Sequence, residues 1–413
     1  MQLNTGASAR QYSWRATARI STNYGLKPLT PLTFLTFKQM NNKEIKILIA
    51  AGGTGGHLYP ALAIIEQLLK NKGVKILFVG TKGGIEEAVV KKAGIPFESI
   101  SAKKLLRRNV LTYPAFFFSA VAACFQSLSI VNKFRPDVCV GVGGYVSGPV
   151  ALAGWFLRVP VFIHEQNTVA GLTNRILGKA ATGIGITFEV SGKYFPKEKI
   201  EVTGNPVREE VLSAERETSM KKLGLDLNKK TVLVFGGSRG ARKINTVFAE
   251  ALKLLDKPDL QILHITGRDD FESVKSLTSG FKPSAMSYEL YAYMDDIWDA
   301  LAAADLVVCR AGATSIAEIT TRGLPSILIP YPYAAENHQM LNAEVLMGRG
   351  ASRTIADSDL NGRRLACEIL SLINNPEILE KMGRASKNFG RPCAAARIAA
   401  IILQMAQQVT SNK

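Results

Sequence analysis

Cysteine is scarce in this sequence and follows no metal-binding or disulfide pattern. Five cysteines occur in 413 residues, with no Cys-x-x-Cys pair among them. Two of them, Cys139 and Cys309, lie in apolar, strand-like runs, as buried thiols of a reducing compartment do. The pattern therefore argues against a disulfide-stapled domain and against a cysteine-bound metal.

Acidic residues are also few relative to basic ones. Asp and Glu number 34 against 51 Lys and Arg, which gives a formal net charge of +17. Such an excess predicts an anionic partner, namely a nucleotide, a nucleic acid or an anionic lipid surface; the alternative is a soluble protein that is simply basic. The basic residues are spread out and lack the aromatic interleaving of a nucleic-acid surface, so we expect no nucleic-acid partner.

No apolar run reaches the ~18–20 residues that a membrane span needs. The nearest candidate covers residues 111–130 and has polar interruptions. A basic cluster precedes it, and the combined patch consists of Lys103, Lys104, Arg107, Arg108, Phe116, Phe117 and Phe118. Basic residues beside exposed aromatic ones are typical of a peripheral protein that docks on an anionic bilayer. A buried helix that follows a solvated basic loop is the alternative.

Residues 1–39 differ in composition from the rest. They contain five basic residues, no acidic residue and many Ser and Thr, as an organelle transit peptide does. We favour a simpler explanation, in which Met40 is the true start and residues 1–39 are an over-extended reading frame. Removing the five basic residues lowers the excess from +17 to +12, so the basic character remains.

Two glycine-rich loops, residues 52–57 and 236–241, each follow an apolar strand and open a helix. Strands and helices alternate on both sides of a break at residues 203–208, which indicates parallel sheets with right-handed crossovers. We predict an α/β fold of two Rossmann-like, doubly wound domains that face each other across a cleft. The N-terminal domain covers residues 40–205 and the C-terminal domain residues 209–390, and a final helix covers residues 393–408.

The first loop superficially resembles a dinucleotide-binding fingerprint but fails two tests. Leu58 stands where the third glycine would be, and the second strand ends Phe78-Val79-Gly80-Thr81 without an acidic residue for a ribose. The sequence also has no GxxxxGK[ST] phosphate loop. A nicotinamide dehydrogenase and a P-loop enzyme are therefore disfavoured.

Polar clusters follow six predicted strands at their carboxyl ends, where open parallel sheets bind ligands. His57 begins a helix beside the first glycine loop, where the helix dipole would lower its pKa and keep it neutral as a general base requires. A capping or packing histidine is the alternative. His164 and Glu165, in a His-Glu-Gln-Asn run, are alternative acid/base candidates.

Further clusters offer anion and hydroxyl contacts. Backbone donors of Gly143, Gly144, Tyr145 and Ser147 form either an anion nest or a tight turn before a helix. Ser238 and the neighbouring amides could hold a phosphate that Arg208 neutralises. The small-residue loop Ala313, Thr314, Ser315, Ile316 and Ala317 opens a helix and leads to Glu318, which either complements the dipole or binds a ribose diol. A polar patch that includes Gln339 suits sugar hydroxyls.

Together these motifs strongly resemble one family, the bacterial UDP-N-acetylglucosamine:N-acetylmuramyl-(pentapeptide) pyrophosphoryl-undecaprenol N-acetylglucosamine transferases. The resemblance runs from about Ile45 to the C-terminus and leaves residues 1–39 unmatched. Its most specific parts are residues 52–57, 141–149, 164–174, 204–208, 236–241, 310–318 and 337–343.

The resemblance implies a GT-B fold and inverting transfer of GlcNAc from UDP-GlcNAc to the C4 hydroxyl of MurNAc in lipid I, which makes lipid II for peptidoglycan. It places the acceptor on the N-terminal domain, with the last helix crossing back onto that domain. By motif position the UDP-GlcNAc contacts would be Thr54, Gly55, Gly56, Asn167, Arg208, Ser238, Met294, residues 313–317, Glu318 and Gln339. We expect no obligatory cofactor and no DxD-bound metal, because helix N-termini and Arg208 would hold the charge of the leaving UDP.

The resemblance also implies a peripheral enzyme on the cytoplasmic face of the bacterial inner membrane, with the cell-wall synthesis machinery as a further partner. Two departures are visible: Arg239 follows Ser238, where some relatives have Gln, and Met294 stands where Ile is familiar. The alternatives are a UDP-sugar transferase acting on diacylglycerol, a UDP-GlcNAc epimerase of the same fold and a non-catalytic nucleotide sensor.

Overall fold

The computed structural model of the chain describes residues 44–102, 113–237, 240–281 and 283–411. The described residues form two wholly parallel sheets, of seven and six strands, surrounded by helices. In chain order the strands are β1 Ile45–Ala50, β2 Val74–Thr81, β3 Phe97–Ile100, β4 Val138–Gly141, β5 Val161–Glu165, β6 Gly183–Ile186, β7 Ile200–Val202, β8 Lys230–Phe235, β9 Leu260–Ile265, β10 Ser287–Tyr291, β11 Leu306–Cys309, β12 Ser326–Leu328 and β13 Ser352–Thr354.

Helices connect the strands and cover the faces of both sheets. They are α1 Gly55–Leu69, α2 Ile85–Lys92, α3 Tyr113–Phe134, α4 Ser147–Phe156, α5 Leu172–Ala180, α6 Glu209–Ser213, α7 Arg216–Lys222, α8 Arg242–Ala251, α9 Phe271–Thr278, α10 Ile297–Ala303, α11 Ala313–Arg322, α12 His338–Met347, α13 Gly362–Ile373, α14 Pro376–Phe389 and α15 Ala394–Ser411. Strands covered on both faces have continuous apolar sequences, as β4 and β11 do.

Each sheet reverses its strand order once, next to its first strand. The first sheet has the order β3-β2-β1-β4-β5-β6-β7, and the second has the order β10-β9-β8-β11-β12-β13. The switch points therefore lie between β1 and β4 and between β8 and β11. Ligands of open parallel sheets bind outside the carboxyl ends of the strands at these points, which in this chain carry the glycine-rich loops.

Two edge strands lie outside what the apolar pattern predicts. Strands β3 and β13 are short and partly polar and lie at sheet edges, where that pattern fades. Helix α1 begins at Gly55, so Pro60 lies within the helix. The proline removes the N–H that would bond to the carbonyl of Gly56 four residues earlier.

Helix α3 carries the apolar run that the sequence analysis found too short for a membrane span. Over Phe117–Phe134 it is long and apolar enough to cross a bilayer by length and composition alone, a test that core helices of globular proteins also pass. Ala123, Ser127 and Val131 are buried at a spacing of four residues, so one face of α3 packs onto the protein. We interpret α3 as a surface helix with an apolar outer face.

The last helix, α15, packs against α1 and β4 of the first sheet. It buries Ile398, Ile402, Leu403 and Met405. Each such side chain stabilises the fold by about 1.5–3 kcal/mol. Two crossings between the halves, at residues 203–208 and 390–393, run side by side: a Cβ added at Gly204 would lie 2.4 Å from the Cβ of Arg391.

Candidate active site between the two sheets

The two loops at the first switch point touch backbone to backbone. A Cβ added at Gly144 would lie 2.1 Å from the carbonyl oxygen of Gly52, and Gly144 has a φ of +81°. Glycine is needed here both for the close approach and for the left-handed backbone. The contact fixes the loop after β1, which leads into α1, against the loop after β4.

His57 lies in the first turn of α1, directly over Gly143. A Cβ added at Gly143 would lie 2.4 Å from Nδ1 of His57, so the imidazole occupies the place of a side chain. Nδ1 is buried without a hydrogen bond of standard geometry, whereas the residue as a whole is half-buried. The side of the ring away from Nδ1 is therefore the side open to the cleft.

The pKa of His57 is lowered, as the sequence suggested, and burial is its largest cause. The side chain of Gln166 and the carbonyl of Val142 oppose the shift by favouring the charged ring, and His338 adds to it. Because an imidazole with a lowered pKa stays neutral near pH 7, His57 has the protonation state of a general base.

The alternative acid/base candidates, His164 and Glu165, use all their side-chain polar atoms in contacts within the protein. His164 is fully buried, its Nε2 lies 3.0 Å from the carbonyl oxygen of Gly204, and burial lowers its pKa to about 4. Glu165 accepts hydrogen bonds from the amides of Asn167 and Gly171 and from Nδ2 of Asn174, at 2.9–3.1 Å. Burial raises the pKa of Glu165, and these three donors oppose the shift. Both side chains shape the loop after β5, so we favour His57 as the base.

In the structure, the Ser147 hydroxyl and the Gly143 amide bond to each other and to nearby backbone, unlike the free donors of the predicted anion nest. The Ser147 hydroxyl is buried, lies 2.9 and 2.7 Å from the carbonyl oxygens of Ala50 and Gly143, and accepts the Gly143 amide at 3.0 Å. Neither group is left free for a ligand. The tight turn, which was the alternative, describes these residues, while Tyr145 lies against Gly53.

Thr314 contacts the first domain through the carbonyl that Pro60 leaves without a helical partner. Its hydroxyl donates to the carbonyl oxygen of Gly56 at 3.1 Å and accepts a long hydrogen bond from Nδ2 of Asn205 at 3.4 Å. The N-terminus of α11 therefore meets the N-terminus of α1. The sequence contained the signal for this contact in Pro60, because a proline inside a helix frees one carbonyl.

Asn342 of α12 forms a second bridge between the halves. Its Nδ2 donates to Oδ1 of Asn167 at 3.2 Å, and its Oδ1 accepts from the amide and the hydroxyl of Thr168 at 3.0 and 2.9 Å. The loop just before α12 holds Glu336 and Asn337 at φ of +51° and +55°. Such strained backbone is concentrated at functional sites.

Arg208 and Glu318 contact each other in the structure. The sequence analysis expected them to bind different parts of UDP-GlcNAc. Nη2 of Arg208 lies 3.4 Å from Oε1 of Glu318, and the guanidinium carbon lies 4.5 Å from the ring centre of Tyr59 and 5.2 Å from that of Trp298. Burial raises the pKa of Glu318, and Arg208 opposes the shift. Tyr59 also shares a 3.3 Å hydrogen bond with Tyr293 across the cleft. Tyr59 was not predicted as a site residue, and its position one turn after the glycine loop is its only signal in the sequence.

The other residues that were predicted to bind UDP-GlcNAc lie partly in the cleft and partly in the core. Thr54 and Gly56 are exposed at the start of α1, Gly55 is buried beside them, and Gln339 accepts the Tyr331 amide at 2.9 Å. Ile316 and Ala317 bury their side chains in the second domain, together with part of Met294, so these residues offer mainly backbone to the cleft. Ala313, Thr314 and Ser315 form the first turn of α11. Ser238 lies outside the described residues, as do Lys103, Lys104, Arg107, Arg108 and the side chain of Phe116.

Within the described part of the chain, no group of three or more His, Cys, Asp or Glu side chains is placed to hold a metal ion. Helix N-termini and Arg208 offer anion-binding groups in the cleft.

Models of the glycosyltransferase family 28 N-terminal and C-terminal domains match residues 47–186 and 231–398. The two facing parallel sheets and these matches define a glycosyltransferase of the GT-B fold. A UDP-N-acetylglucosamine--N-acetylmuramyl-(pentapeptide) pyrophosphoryl-undecaprenol N-acetylglucosamine transferase from Desulforamulus reducens is 45% identical, over 86% of this chain and 97% of its own. The chain belongs to this family.

Two solved structures resemble this chain to different degrees. The crystal structure of Acinetobacter baumannii MurG matches with a TM-score of 0.70 and 30% identity, over 87% of this chain and 99% of that one. A UDP-GlcNAc 2-epimerase from Neisseria meningitidis matches with a TM-score of 0.61 but 16% identity, over 87% and 100% of the two chains. The second match is a likeness of fold alone.

Replacing Gly143 by Ala should displace His57 and slow the reaction. We expect kcat of glycosyl transfer to fall at least about tenfold, because the new methyl group would occupy the position of Nδ1. Gly94→Ala is the matched control, since Gly94 also has a positive φ of +71° but open space around it. Gly94→Ala should lose about 1–2 kcal/mol of stability from backbone strain, and Gly143→Ala should lose more, because its new methyl group also meets His57. Equal kcat in both variants would contradict the placement of His57 at the reaction centre.

Proposed function

We propose that the chain transfers GlcNAc from UDP-GlcNAc to the C4 hydroxyl of MurNAc in undecaprenyl-pyrophosphoryl-MurNAc-pentapeptide, converting lipid I to lipid II with inversion at the anomeric carbon. The observation that carries this proposal is the 45% identity to a transferase of that name over 97% of its length. The cleft adds a chemical reason, because it brings a neutral imidazole to one side and a helix N-terminus to the other.

In the proposed mechanism, His57 takes the proton of the acceptor C4 hydroxyl while that oxygen attacks the anomeric carbon of GlcNAc. The new bond joins the acceptor oxygen to that carbon, and the bond to the diphosphate oxygen breaks, so that UDP leaves with the electron pair. The N-terminus of α11 and Arg208 would stabilise the developing negative charge. This role requires Arg208 to turn from Glu318 towards the diphosphate, and it frees Glu318 for the ribose.

The remaining site assignments follow the order of the motifs. We assign the acceptor to the N-terminal domain, residues 40–205 with the last helix, and UDP-GlcNAc to residues 209–390. Support comes from Asn167, which reaches the second half through Asn342, and from Gln339 on the same helix as Asn342. Thr54 and Gly56 lie where the two substrates would meet.

We further propose that the chain docks peripherally on the cytoplasmic face of the inner membrane through helices α3, α4 and α5, which are packed side by side. Their exposed apolar side chains, here called the apolar face, are Phe117, Phe118, Val121, Phe125, Leu152, Trp155, Phe156, Leu172 and Ile176. The apolar face extends well beyond the aromatic cluster visible in the sequence. A face of this kind, on a helix that follows a basic cluster in the sequence, suits an anionic bilayer surface.

An acceptor assay tests the function directly. Labelled UDP-GlcNAc is incubated with the full chain and lipid I, diacylglycerol or no acceptor, and the lipid products are separated. We expect labelled product with lipid I alone. Labelled product on diacylglycerol would instead support a UDP-sugar transferase that acts on diacylglycerol. Turnover of UDP-GlcNAc without acceptor would indicate epimerase chemistry.

His57→Ala should lower kcat by about 10²–10⁴, the usual contribution of a general base. Because the pKa of His57 lies below 6.5, the wild-type rate should stay constant near neutral pH and fall only as the pH drops through that lowered pKa. The measurement is kcat against pH for both proteins, with thermal unfolding as a check on folding. A loss below about tenfold in a folded variant would move the role of base away from His57.

Replacing Phe118, Phe125 and Phe156 by Ser should weaken membrane binding without harming the cleft. These side chains are 71%, 68% and 70% exposed, so their removal leaves the core intact. We expect at least about tenfold less binding to phosphatidylglycerol vesicles in flotation assays, because the lost apolar area no longer enters the bilayer. Leu254→Ser with Leu277→Ser, exposed leucines of the second half, is the control. Equal binding by both variants would reject the apolar face as the docking surface.

A further inference from the structure

A row of buried polar groups joins the crossing between the halves to His57. The carbonyl of Gly204, in the crossing at residues 203–208, lies 3.0 Å from Nε2 of His164. Nδ1 of His164 lies 3.1 Å from Nε2 of Gln166, and the same Nε2 donates to the carbonyl of Val142 at 2.5 Å. His164 and Gln166 are 0% and 2% exposed, so water does not compete for these contacts.

The partners in this row fix the proton positions one after another. A carbonyl can only accept, so Nε2 of His164 carries the proton and its Nδ1 has a free lone pair. That lone pair and the Val142 carbonyl are both acceptors, so each requires an N–H of the Gln166 amide. Both amide hydrogens of Gln166 are thereby used, and its oxygen, Oε1, must face the other way.

Oε1 of Gln166 faces His57. A Cβ added at Gly143 would lie 2.4 Å from Nδ1 of His57 and 3.2 Å from Oε1 of Gln166, so both atoms flank the same point. Nδ1 of His57 is buried and has no hydrogen bond of standard geometry, and its polar neighbours are this oxygen and the Val142 carbonyl. Both neighbours are acceptors, which favours a proton on Nδ1 and leaves the lone pair of His57 on Nε2.

We propose that Gln166 and His164 are positioning residues that hold His57 as the Nδ1–H tautomer, with the Nε2 lone pair directed to the acceptor hydroxyl. The proposal rests on the proposed role of His57 as base. Gln166 has the place that an acidic residue has in a catalytic triad, but as a neutral group it orients the imidazole without raising its pKa as a carboxylate would. His164 in turn fixes which way the Gln166 amide points.

Two substitutions of His164 separate this role from a merely structural one. His164→Asn keeps an acceptor near the position of Nδ1 for Gln166, whereas His164→Gln keeps a donor near the position of Nε2 for Gly204 and loses that acceptor. Both remove the ring, so each controls for the lost packing of the other. With UDP-GlcNAc and lipid I, we expect His164→Asn to stay within about threefold of the wild-type kcat and His164→Gln to lose at least about tenfold, with KM for UDP-GlcNAc unchanged in both. Equal losses in the two variants would overturn the proposal.

Gln166→Met provides a second readout. Methionine has a similar length but no polar atoms, so it can neither accept from Nδ1 of His57 nor donate to Nδ1 of His164. We expect kcat to fall at least about tenfold with the protein still folded. A kcat within about threefold of the wild-type value in folded Gln166→Met would contradict the contact.

Nitrogen NMR of the imidazoles tests the tautomer independently of activity. The chain has four histidines, so the signals are few enough to assign by substitution. We expect His57 as the Nδ1–H form in the wild type and as a mixture of forms in His164→Gln. His264, whose Nε2 lies 3.1 Å from Oδ1 of Asn245, serves as an internal Nε2–H reference. An Nε2–H form of His57 in the wild type would overturn the positioning role even if His57→Ala abolishes turnover, whereas a fast His57→Ala enzyme would overturn the base assignment alone.

Discussion

Backbone contact at the first switch point is the constraint on which the site depends. The loops after β1 and β4 approach so closely that the carbonyl of Gly52 occupies the space of a side chain at Gly144. In the same way, the His57 imidazole occupies the space that a side chain at Gly143 would need. Neither approach tolerates a Cβ, so two glycines of the backbone provide the space that the imidazole occupies. A reacting group held in this way loses little entropy when the substrates arrive.

Much of the architecture could be predicted from the sequence, because buried parallel strands leave a strong signal. The predicted alternation of strands and helices is found in both halves, and strands such as β1 and β11 are mainly apolar and buried. The edge strands β3 and β13 lack that signal, since an edge is covered less and tolerates polar residues. The order of the motifs also indicated the family, because several long motifs in one order are far more specific than a single glycine loop.

The hydrogen bonds, ion pairs and burial of the site residues depend on tertiary contacts. The spacing of residues along the sequence does not predict such contacts. The sequence predicted that His57 starts a helix and has a lowered pKa, but it did not indicate the burial that lowers this pKa. It left Ser147 between an anion nest and a tight turn, and the contacts of its hydroxyl with the Ala50 and Gly143 carbonyls and the Gly143 amide favour the turn. It also did not indicate that Arg208 would pair with Glu318, because the two are 110 residues apart.

Neutral hydrogen bonds supply several of the described contacts across the cleft. Thr314, Asn342 and Tyr293 each join the halves through uncharged groups, and each such bond contributes about 0.5–1.5 kcal/mol. Contacts of this strength hold the halves in register yet can be exchanged for contacts with substrate. A set of buried ion pairs would instead leave costly unpaired charges whenever the cleft opened.

The placement of α15 has a consequence for how the chain is made. Helix α1, which carries His57, is covered in part by the 18 residues of α15 at the opposite end of the chain. A ribosome releases α15 only after the whole second half has been synthesised, so the nascent first half waits with that apolar surface uncovered. The enzyme therefore gains a complete active site only when its last helix docks, and a nascent chain stalled anywhere before it would carry every motif named above without a finished cleft.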